Sequence, residues 1–214
     1  MDLTGATRIV IIGGGQAGAQ ALQSLRQGGY EGKLTLVADE AALPYQRPPL
    51  SKAYMKGEFS EERLYFRPEA WYQDQKIEVI LSTHAAKIDR TAQTVELPHG
   101  GKIDYDALII ATGSRPRTLP TKGADLEGVH DLRTLADVER IRPNMITGRK
   151  MVIIGAGYIG LEAAAVARQM GLEVTVLEMA PRVLARVTSP VMSEFFETEH
   201  RAQGVQILTG ARLD

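Results

Sequence analysis

One sequence pattern occurs twice in the chain. The apolar run 8–12 leads into the glycine turn 13–18, and the run 150–154 leads into the glycine turn 155–160. Both turns read Gly-x-Gly-x-x-Gly and precede an alanine-containing segment with helical spacing. Such a strand, turn and helix bind a dinucleotide, because the glycines let backbone amides approach its pyrophosphate at a helix N-terminus. The repeat therefore predicts two Rossmann-like units with two dinucleotide sites.

A second apolar strand follows each glycine turn and ends in an acidic residue. The segment 34–39 ends at Asp39, and the segment 174–178 ends at Glu178. A carboxylate at this position of a dinucleotide-binding unit accepts hydrogen bonds from the adenosine ribose. A glycine turn by itself also occurs as a plain connection between a strand and a helix. The acid that follows each turn therefore strengthens the prediction of two dinucleotide sites.

Composition indicates a globular protein and argues against several partners. The 214 residues are 44% hydrophobic and 24% charged, which is enough for one or two ordinary cores. The formal net charge is −1, so there is no overall basic field, and we expect neither a nucleic-acid nor a membrane partner. The sequence shows no signal-peptide pattern and no apolar run of about 18 residues. We therefore expect a cytoplasmic protein.

The sequence contains no cysteine, which limits its redox chemistry. A flavoprotein that passes electrons through a cysteine pair needs a thiolate, as do cysteine-ligated zinc and iron–sulfur sites. We also expect no metal bound through histidine, because the four histidines show no ligand spacing. Any bound flavin must therefore pass its electrons directly to an external acceptor or to oxygen.

The spacing of apolar residues predicts an α/β fold. A helix is expected from Gln16 to the stop at Gly28, and another from the second glycine turn to Gly171. The packed face of the first helix is expected to contain Ala17, Ala21, Leu22 and Leu25. The packed face of the second is expected to contain Ile159, Ala163, Val166 and Met170.

The sequence between the two glycine turns predicts shorter elements. The proline-rich segment 43–52 predicts a rigid turn that leads into a helical segment near Ala53. The segment 106–111 predicts a buried parallel strand, and a helix is expected around 135–141. An inserted β-meander is expected from the short β-rich segments 78–81, 85–89, 94–97 and 102–104.

The loop-rich segment 114–147 predicts the domain boundary. We place the first domain at 1–147 and the second at 148–214. The second domain supplies only three strands and two helical segments before the sequence ends. So small a parallel sheet has an exposed edge and an uncovered face, which predicts that the chain is part of a longer protein.

Taken together, these residues resemble the FAD-dependent, NADH-using ferredoxin reductases of the putidaredoxin reductase and rubredoxin reductase type. The resemblance covers residues 8–214, and its most specific stretches are 43–52, 111–116 and 155–162. It implies a glutathione-reductase-like fold with an FAD-binding first domain and an NADH-binding second domain. It also implies that electrons pass from NADH through FAD to a [2Fe–2S] ferredoxin, which serves a cytochrome P450 or a ring-hydroxylating oxygenase.

The resemblance implies roles for individual residues. Lys52 would lie beside the isoalloxazine ring as a catalytic and cofactor-binding residue, and Glu162 would hold its ammonium group in place. The other residues that contact FAD would be Gly13, Gly15, Ala17, Gly18, Asp39, Arg47, Ala85 and Arg133. The residues that contact NADH would be Gly155, Gly157, Tyr158, Ile159, Gly160 and Glu178.

Two further residues bear on specificity. The carboxylate of Glu178 predicts a preference for NADH, because it would repel the 2′-phosphate of NADPH, although the nearby Arg182 would weaken that contrast. Arg67 lies in a segment that resembles the ferredoxin-facing segment of the family, which implies a role in docking the ferredoxin. The alternative interpretation is an ordinary solvated arginine.

Two other functions remain open on the sequence. One is a catalytically silent nucleotide-binding fragment. The other is a related flavin-dependent protein, either an NADH oxidase or a component that reduces rubredoxin or nitrite. The proline-rich segment 43–52, which occupies the place of a cysteine-bearing helix, favours the ferredoxin-reducing type by resemblance.

Overall fold

The chain forms two compact units in the computed structural model, which describes residues 5–117 and 119–212. The first compact unit contains Met1–Gln46 and Glu61–Arg115, and the second contains Arg47–Ser60 and Pro116–Asp214. The proline-rich segment is therefore divided between the units. The boundary predicted at residue 147 separates the region expected to bind FAD from the region expected to bind NADH. The two compact units are defined by contacts within the chain and not by bound nucleotides. They do not test the boundary at residue 147, which stays a prediction.

A parallel sheet and an antiparallel meander form the first compact unit. Its elements in chain order are β1 (Arg8–Ile12), α1 (Gln16–Gln27), β2 (Lys33–Val37), α2 (Glu69–Asp74), β3 (Ile77–Ile80), β4 (Lys87–Asp89), β5 (Thr94–Glu96), β6 (Lys102–Asp104) and β7 (Ala107–Ile110). The parallel sheet has the strand order β3-β2-β1-β7. The meander is the antiparallel sheet β4-β5-β6.

The core of the first compact unit covers both faces of the parallel sheet. Successive side chains of β1 point to opposite faces. Ile9 and Ile11 pack with Leu22 of α1 on one face, while Val10 and Ile12 pack with the meander on the other. This double burial explains why the central strands are continuous apolar runs rather than alternating ones.

A carboxylate anchors the start of β1 to the segment before β7. Asp106 accepts hydrogen bonds from the backbone amides of Thr7 and Arg8, at 2.9 and 2.8 Å, and from the Arg8 guanidinium at 2.8 Å. The Arg8 side chain, followed by Thr7, holds the pKa of Asp106 well below its usual range. The anchor ties the two neighbouring strands together at the end opposite the glycine turn.

The second compact unit is built on a smaller parallel sheet. Its elements are α3 (Leu135–Ile141), β8 (Lys150–Ile154), α4 (Tyr158–Gln169), β9 (Glu173–Glu178), α5 (Pro190–Ala202) and β10 (Gln206–Thr209), with the sheet order β10-β9-β8. The helix α4 packs on β8 and β9 through Leu161, Ala164 and Ala167. Val152 and Ile154 on β8 are exposed, so one face of this sheet is uncovered among the described residues, as expected.

Several predicted elements differ from the structure. The segment at 78–81 is strand β3 of the parallel sheet, and only the later three segments form the meander. The segment near Ala53 forms turns after the short 3-10 helix Pro48–Ser51, because the backbone at Lys52 (φ −130°, ψ −115°) leaves the helical region. The strand β7 is buried only in part, and Ile110 at its end is 63% exposed, because β7 is an edge strand of its sheet.

The packed helix faces also differ from the prediction at their first turns. Ala17 is exposed and Ile159 is 50% exposed, although both were expected on a packed face. The first turn of each helix lies beside a glycine turn, where the strands of the sheet have already ended. No helix of the described residues is both long and apolar enough to span a bilayer.

Candidate functional site

The first glycine turn joins β1 to α1, and its first and third motif glycines have no space for a side chain. Gly13 has a φ of +117°, and a Cβ added to it would lie 2.2 Å from the carbonyl oxygen of Ala111. A Cβ on Gly18 would lie 2.0 Å from the carbonyl oxygen of Gly13. No described side chain caps α1 at Gly15. The first amides of the helix are therefore left for an anionic ligand.

The second glycine turn joins β8 to α4 in the same way. Gly155 has a φ of +101°, and a Cβ on Gly160 would lie 2.0 Å from the carbonyl oxygen of Gly155. Gly157 precedes the helix without a side-chain cap from the described residues. Tyr158 and Ile159 follow it with about half of their surface exposed. Both turns thus have the backbone geometry expected of a pyrophosphate site.

The acidic residues after β2 and at the end of β9 have different partners. The Asp39 carboxylate, 59% exposed, lies 3.6 Å from the Arg115 guanidinium. Glu178 accepts hydrogen bonds from the amides of Ala156 and Ala180, at 2.7 and 2.8 Å. Because Ala156 belongs to the second glycine turn, Glu178 is tied to that turn directly.

Ala85 lies on the segment that runs beside Asp39. The amides of Ser82 and Thr83 donate to the carbonyl oxygens of Glu40 and Ala38, at 3.0 and 2.9 Å. Ala85 itself is partly buried against the core under the meander. The structure therefore brings the segment of Ala85 and the acid Asp39 to the same end of the first parallel sheet.

An ion pair lies at a cavity of about 270 Å³ within the second compact unit. The Lys52 ammonium is 2.5 Å from Glu162 Oε2, and the Ser51 hydroxyl donates to the same oxygen at 2.6 Å. Lys52 and Glu162 were paired by the resemblance. Ser51 was missed, and its only signal in the sequence is its place between the proline turn and Lys52.

Two arginines line the same cavity. Arg47 Nη1 donates to the carbonyl oxygen of Arg133 at 2.9 Å, and the Arg133 amide donates to Asp137 at 3.0 Å. Asp137 and Thr134 form a capping box at the start of α3, which fixes the backbone at Arg133. Burial raises the pKa of Asp137, but the hydrogen bonds from Thr134 and Arg133 outweigh it and leave the pKa below its usual value.

Two other predicted specificity residues are bound inside their own units. Arg67 lies over the Trp71 ring at 5.7 Å and donates to Gln23 at 2.9 Å. Arg67 is therefore not freely solvated, and its guanidinium is not free of contacts with its own unit. The Arg182 guanidinium donates to the carbonyl oxygens of Thr188 and Ala185, each at 3.0 Å. These bonds already occupy the group that was expected to weaken the contrast set by Glu178.

The chain matches one protein family over almost its whole length. Residues 7–214 match the family described as pyridine nucleotide-disulphide oxidoreductase. The chain belongs to this family. These 214 residues contain no cysteine, so they supply no thiol for the disulphide chemistry in the family's description.

Several reductases are similar to the chain over most of its length. Rhodocoxin reductase of Rhodococcus erythropolis is 50% identical over 199 residues, which cover 93% of this chain and 47% of that protein. The ferredoxin reductase for the CYP199A2 system from Rhodopseudomonas palustris is 47% identical with a TM-score of 0.92, over 96% of this chain and 51% of that one. The reductase in the covalent putidaredoxin reductase–putidaredoxin complex is 44% identical with a TM-score of 0.91, over 96% and 50%. The chain spans about half the length of these relatives.

Proposed function

We propose that the chain is the FAD- and NADH-binding part of a reductase that supplies electrons to a [2Fe–2S] ferredoxin. The ferredoxin would serve a cytochrome P450 or a ring-hydroxylating oxygenase. Residues 1–147 would bind FAD and residues 148–214 would bind NADH. The observation that carries the proposal is the occurrence, in one chain, of two complete glycine turns and a lysine–glutamate pair at a cavity.

The residues present fit a bound FAD. The first glycine turn offers uncapped amides to a pyrophosphate, and Asp39 offers an exposed carboxylate to a ribose. The residues that we propose to contact FAD are those of the resemblance: Gly13, Gly15, Ala17, Gly18, Asp39, Arg47, Lys52, Ala85 and Arg133. The cations among them suit the negative charges of the cofactor.

We propose that Lys52 and Glu162 act on the reduction step itself. A bound FAD would supply the conversion of a hydride from NADH into single electrons for an acceptor such as a ferredoxin. The Lys52 ammonium, already in place at the cavity, would stabilise negative charge on a flavin ring held there without rearrangement. Glu162 holds the ammonium through the 2.5 Å contact.

We propose that Glu178 sets a preference for NADH over NADPH. Its carboxylate is held by two backbone amides beside the second glycine turn, where it would accept the ribose hydroxyls of NADH. It would repel a 2′-phosphate. The other residues proposed to contact NADH are Gly155, Gly157, Tyr158, Ile159 and Gly160.

Spectroscopy of the purified full-length protein tests the proposal. Wild-type protein should be yellow, and NADH should bleach the flavin band faster than NADPH under anaerobic conditions. Lys52→Met should slow bleaching by about 10- to 100-fold while FAD stays bound, the range for one charge-assisted hydrogen bond used fully in the transition state.

The acceptor is tested separately. Reduced protein should transfer electrons to a [2Fe–2S] ferredoxin faster than to rubredoxin or oxygen. A colourless protein that takes up no FAD would support a silent nucleotide-binding fragment, and faster transfer to oxygen or rubredoxin would favour an oxidase or a rubredoxin reductase. The cytoplasmic location stays a prediction.

A further inference from the structure

We infer that Ser51 is a positioning residue for the Lys52–Glu162 pair. Its hydroxyl fixes the Glu162 carboxylate, and the carboxylate in turn fixes the Lys52 ammonium at the cavity. This inference rests on the proposed function of the pair and adds a residue to it. All three residues belong to the second compact unit.

The geometry gives Glu162 Oε2 two donors from neighbouring residues of the chain. Ser51 Oγ lies 2.6 Å from Oε2 and Lys52 Nζ lies 2.5 Å from it. The first distance is typical of a hydroxyl that donates to a charged carboxylate. Lys52 Nζ also donates to the carbonyl oxygen of Pro48 at 3.3 Å. The ammonium is therefore held between the carboxylate and the turn that presents it.

The two donors differ in how firmly they are held. The Lys52 side chain is 48% exposed and has four flexible methylene groups, so its ion pair alone is a weak restraint. Ser51 is 5% exposed and ends a 3-10 helix that begins with two prolines, whose φ angles are fixed by their rings. A short buried hydroxyl loses little entropy when it bonds. Ser51 therefore supplies the rigid part of the restraint on Glu162.

The first compact unit contains a matched arrangement. Thr35 Oγ1 donates to Glu78 Oε2 at 3.0 Å, and Lys33 Nζ lies 2.9 Å from the same oxygen. Thr35 is 1% exposed, so a buried hydroxyl again supports a carboxylate that pairs with an exposed lysine. This second group joins β2 to β3 and has no part in the proposed reaction. It serves as an internal control for every measurement below.

Chemical labelling tests the restraint independently of catalysis. The full-length protein, stripped of FAD, is acetylated briefly and the extent of labelling at each lysine is read by mass spectrometry. Ser51→Ala should raise the labelling rate of Lys52 about threefold to tenfold, towards the rate in Glu162→Gln, and leave Lys33 unchanged. Thr35→Val should raise the labelling of Lys33 and leave Lys52 unchanged.

Rapid reduction by NADH tests the consequence in the FAD-loaded protein. Ser51→Ala should lower the limiting rate of flavin bleaching at saturating NADH by about 3- to 30-fold with FAD retained. Ser51→Thr, which keeps the hydroxyl, should recover most of the rate. In a Glu162→Gln background, Ser51→Ala should have no further effect, because the group that it positions has lost its charge. Thr35→Val should reduce flavin at the wild-type rate.

Three results would overturn the inference. They are an unchanged Lys52 labelling rate in Ser51→Ala, an unchanged bleaching rate at full FAD occupancy, or equal slowing by Ser51→Ala in the wild-type and Glu162→Gln backgrounds. If Ser51→Ala does not fold, Ser51→Cys, a weaker donor of similar size, should give an intermediate bleaching rate, and a wild-type rate would count against the inference. Lys52→Met separates the two proposals: if it slows bleaching and Ser51→Ala does not, only the role of Ser51 fails.

Discussion

The strands β1 and β8 lead into the two glycine turns with nearly the same apolar sequence, yet their surroundings differ. Residues 9–12 of β1 are at most 6% exposed, whereas Val152 and Ile154 of β8 are 61% and 48% exposed. In the first compact unit, the meander covers the sheet face opposite α1. The described residues of the second unit supply no equivalent layer. A local motif thus sets its own backbone geometry, while the elements around it set its burial.

The glycines show the same distinction within each turn. A Cβ on Gly18 or Gly160 would meet the carbonyl oxygen of the first glycine of its own turn at 2.0 Å in both cases. A Cβ on Gly13 would meet Ala111, which follows the neighbouring strand β7, whereas one on Gly155 would meet nothing within 4 Å. The third glycine is required by the motif itself, and the steric need for the first depends on a neighbouring strand.

The largest expected effect tests the feature that the two glycine turns share, which is the close contact at the third glycine. Gly18→Ala and Gly160→Ala should each destabilise the protein by about 3 kcal/mol, because a backbone oxygen 2.0 Å away cannot move cheaply. Urea unfolding of both variants measures the cost. Ala19→Gly, in the same helix as Gly18, is the control for a change in helix propensity alone and should cost about 1 kcal/mol. A cost below that of the control in either variant would show that its turn relaxes.

The next effect tests the feature that differs between the two turns, which is the surroundings of the first glycine. Gly13→Ala and Gly155→Ala both place a side chain at positive φ, which costs about 1–2 kcal/mol. Gly13→Ala also drives its Cβ into the carbonyl group of Ala111, so it should be less stable than Gly155→Ala by about a further 1 kcal/mol. Denaturant midpoints of the two variants decide the point. Equal midpoints would contradict the steric role of the neighbouring strand.

The two acids should also respond differently to loss of charge. Glu178→Gln leaves one of two backbone amides without its acceptor and should destabilise the protein by about 1–2 kcal/mol. Among the described residues Asp39→Asn breaks one exposed contact, with Arg115, and should cost less than about 0.5 kcal/mol. Thermal unfolding of each variant beside the wild type makes the measurement. A larger loss for Asp39→Asn would reverse the comparison.

The smallest effect is in the pH dependence of the two units. Burial lowers the pKa of His200 below 6.5, although Glu199 partly offsets it. The unfolded chain therefore takes up this proton first, and the second unit should lose stability as the pH falls below about 6.5. The pKa of Asp106 is lowered instead from 3.8, so its contribution to the first unit is complete above that pH and is lost only as the pH falls through the depressed value.

Two local probes separate these pH effects. Trp71, the only tryptophan of the chain, reports on the first unit by fluorescence, and amide exchange in α5 reports on the second. Between pH 6.5 and 5.5 only the protection factors in α5, which are exchange rates corrected for the intrinsic effect of pH, should fall, and His200→Asn should remove that fall. A matching shift in Trp71 fluorescence unfolding over this range would show that another group is responsible.

The sequence by itself determined the elements whose formation depends on nearby residues. Strand β1, helix α1 with its end beside Gly28, and helix α3 were predicted close to their observed bounds. Their signals are local: an apolar run, a glycine that ends a helix, and the apolar spacing along each helix. Both glycine turns were predicted for the same reason. The pairing of Lys52 with Glu162 came only from resemblance, since no local rule joins residues so distant in the chain.

Tertiary structure alone decided the features that depend on distant neighbours. The segment at 78–81 joined the parallel sheet because β2 offered it an edge, whereas the run of short β-rich segments suggested a meander. Arg67 packed on Trp71, and Arg182 turned to backbone carbonyl groups, neither of which a resemblance or a nearby position in the sequence could predict. Ser51 reached Glu162 because the proline turn packs beside α4. Local propensity follows from short-range sterics and hydrogen bonding, but the choice of partner depends on which groups the completed fold brings within a few ångströms of each other.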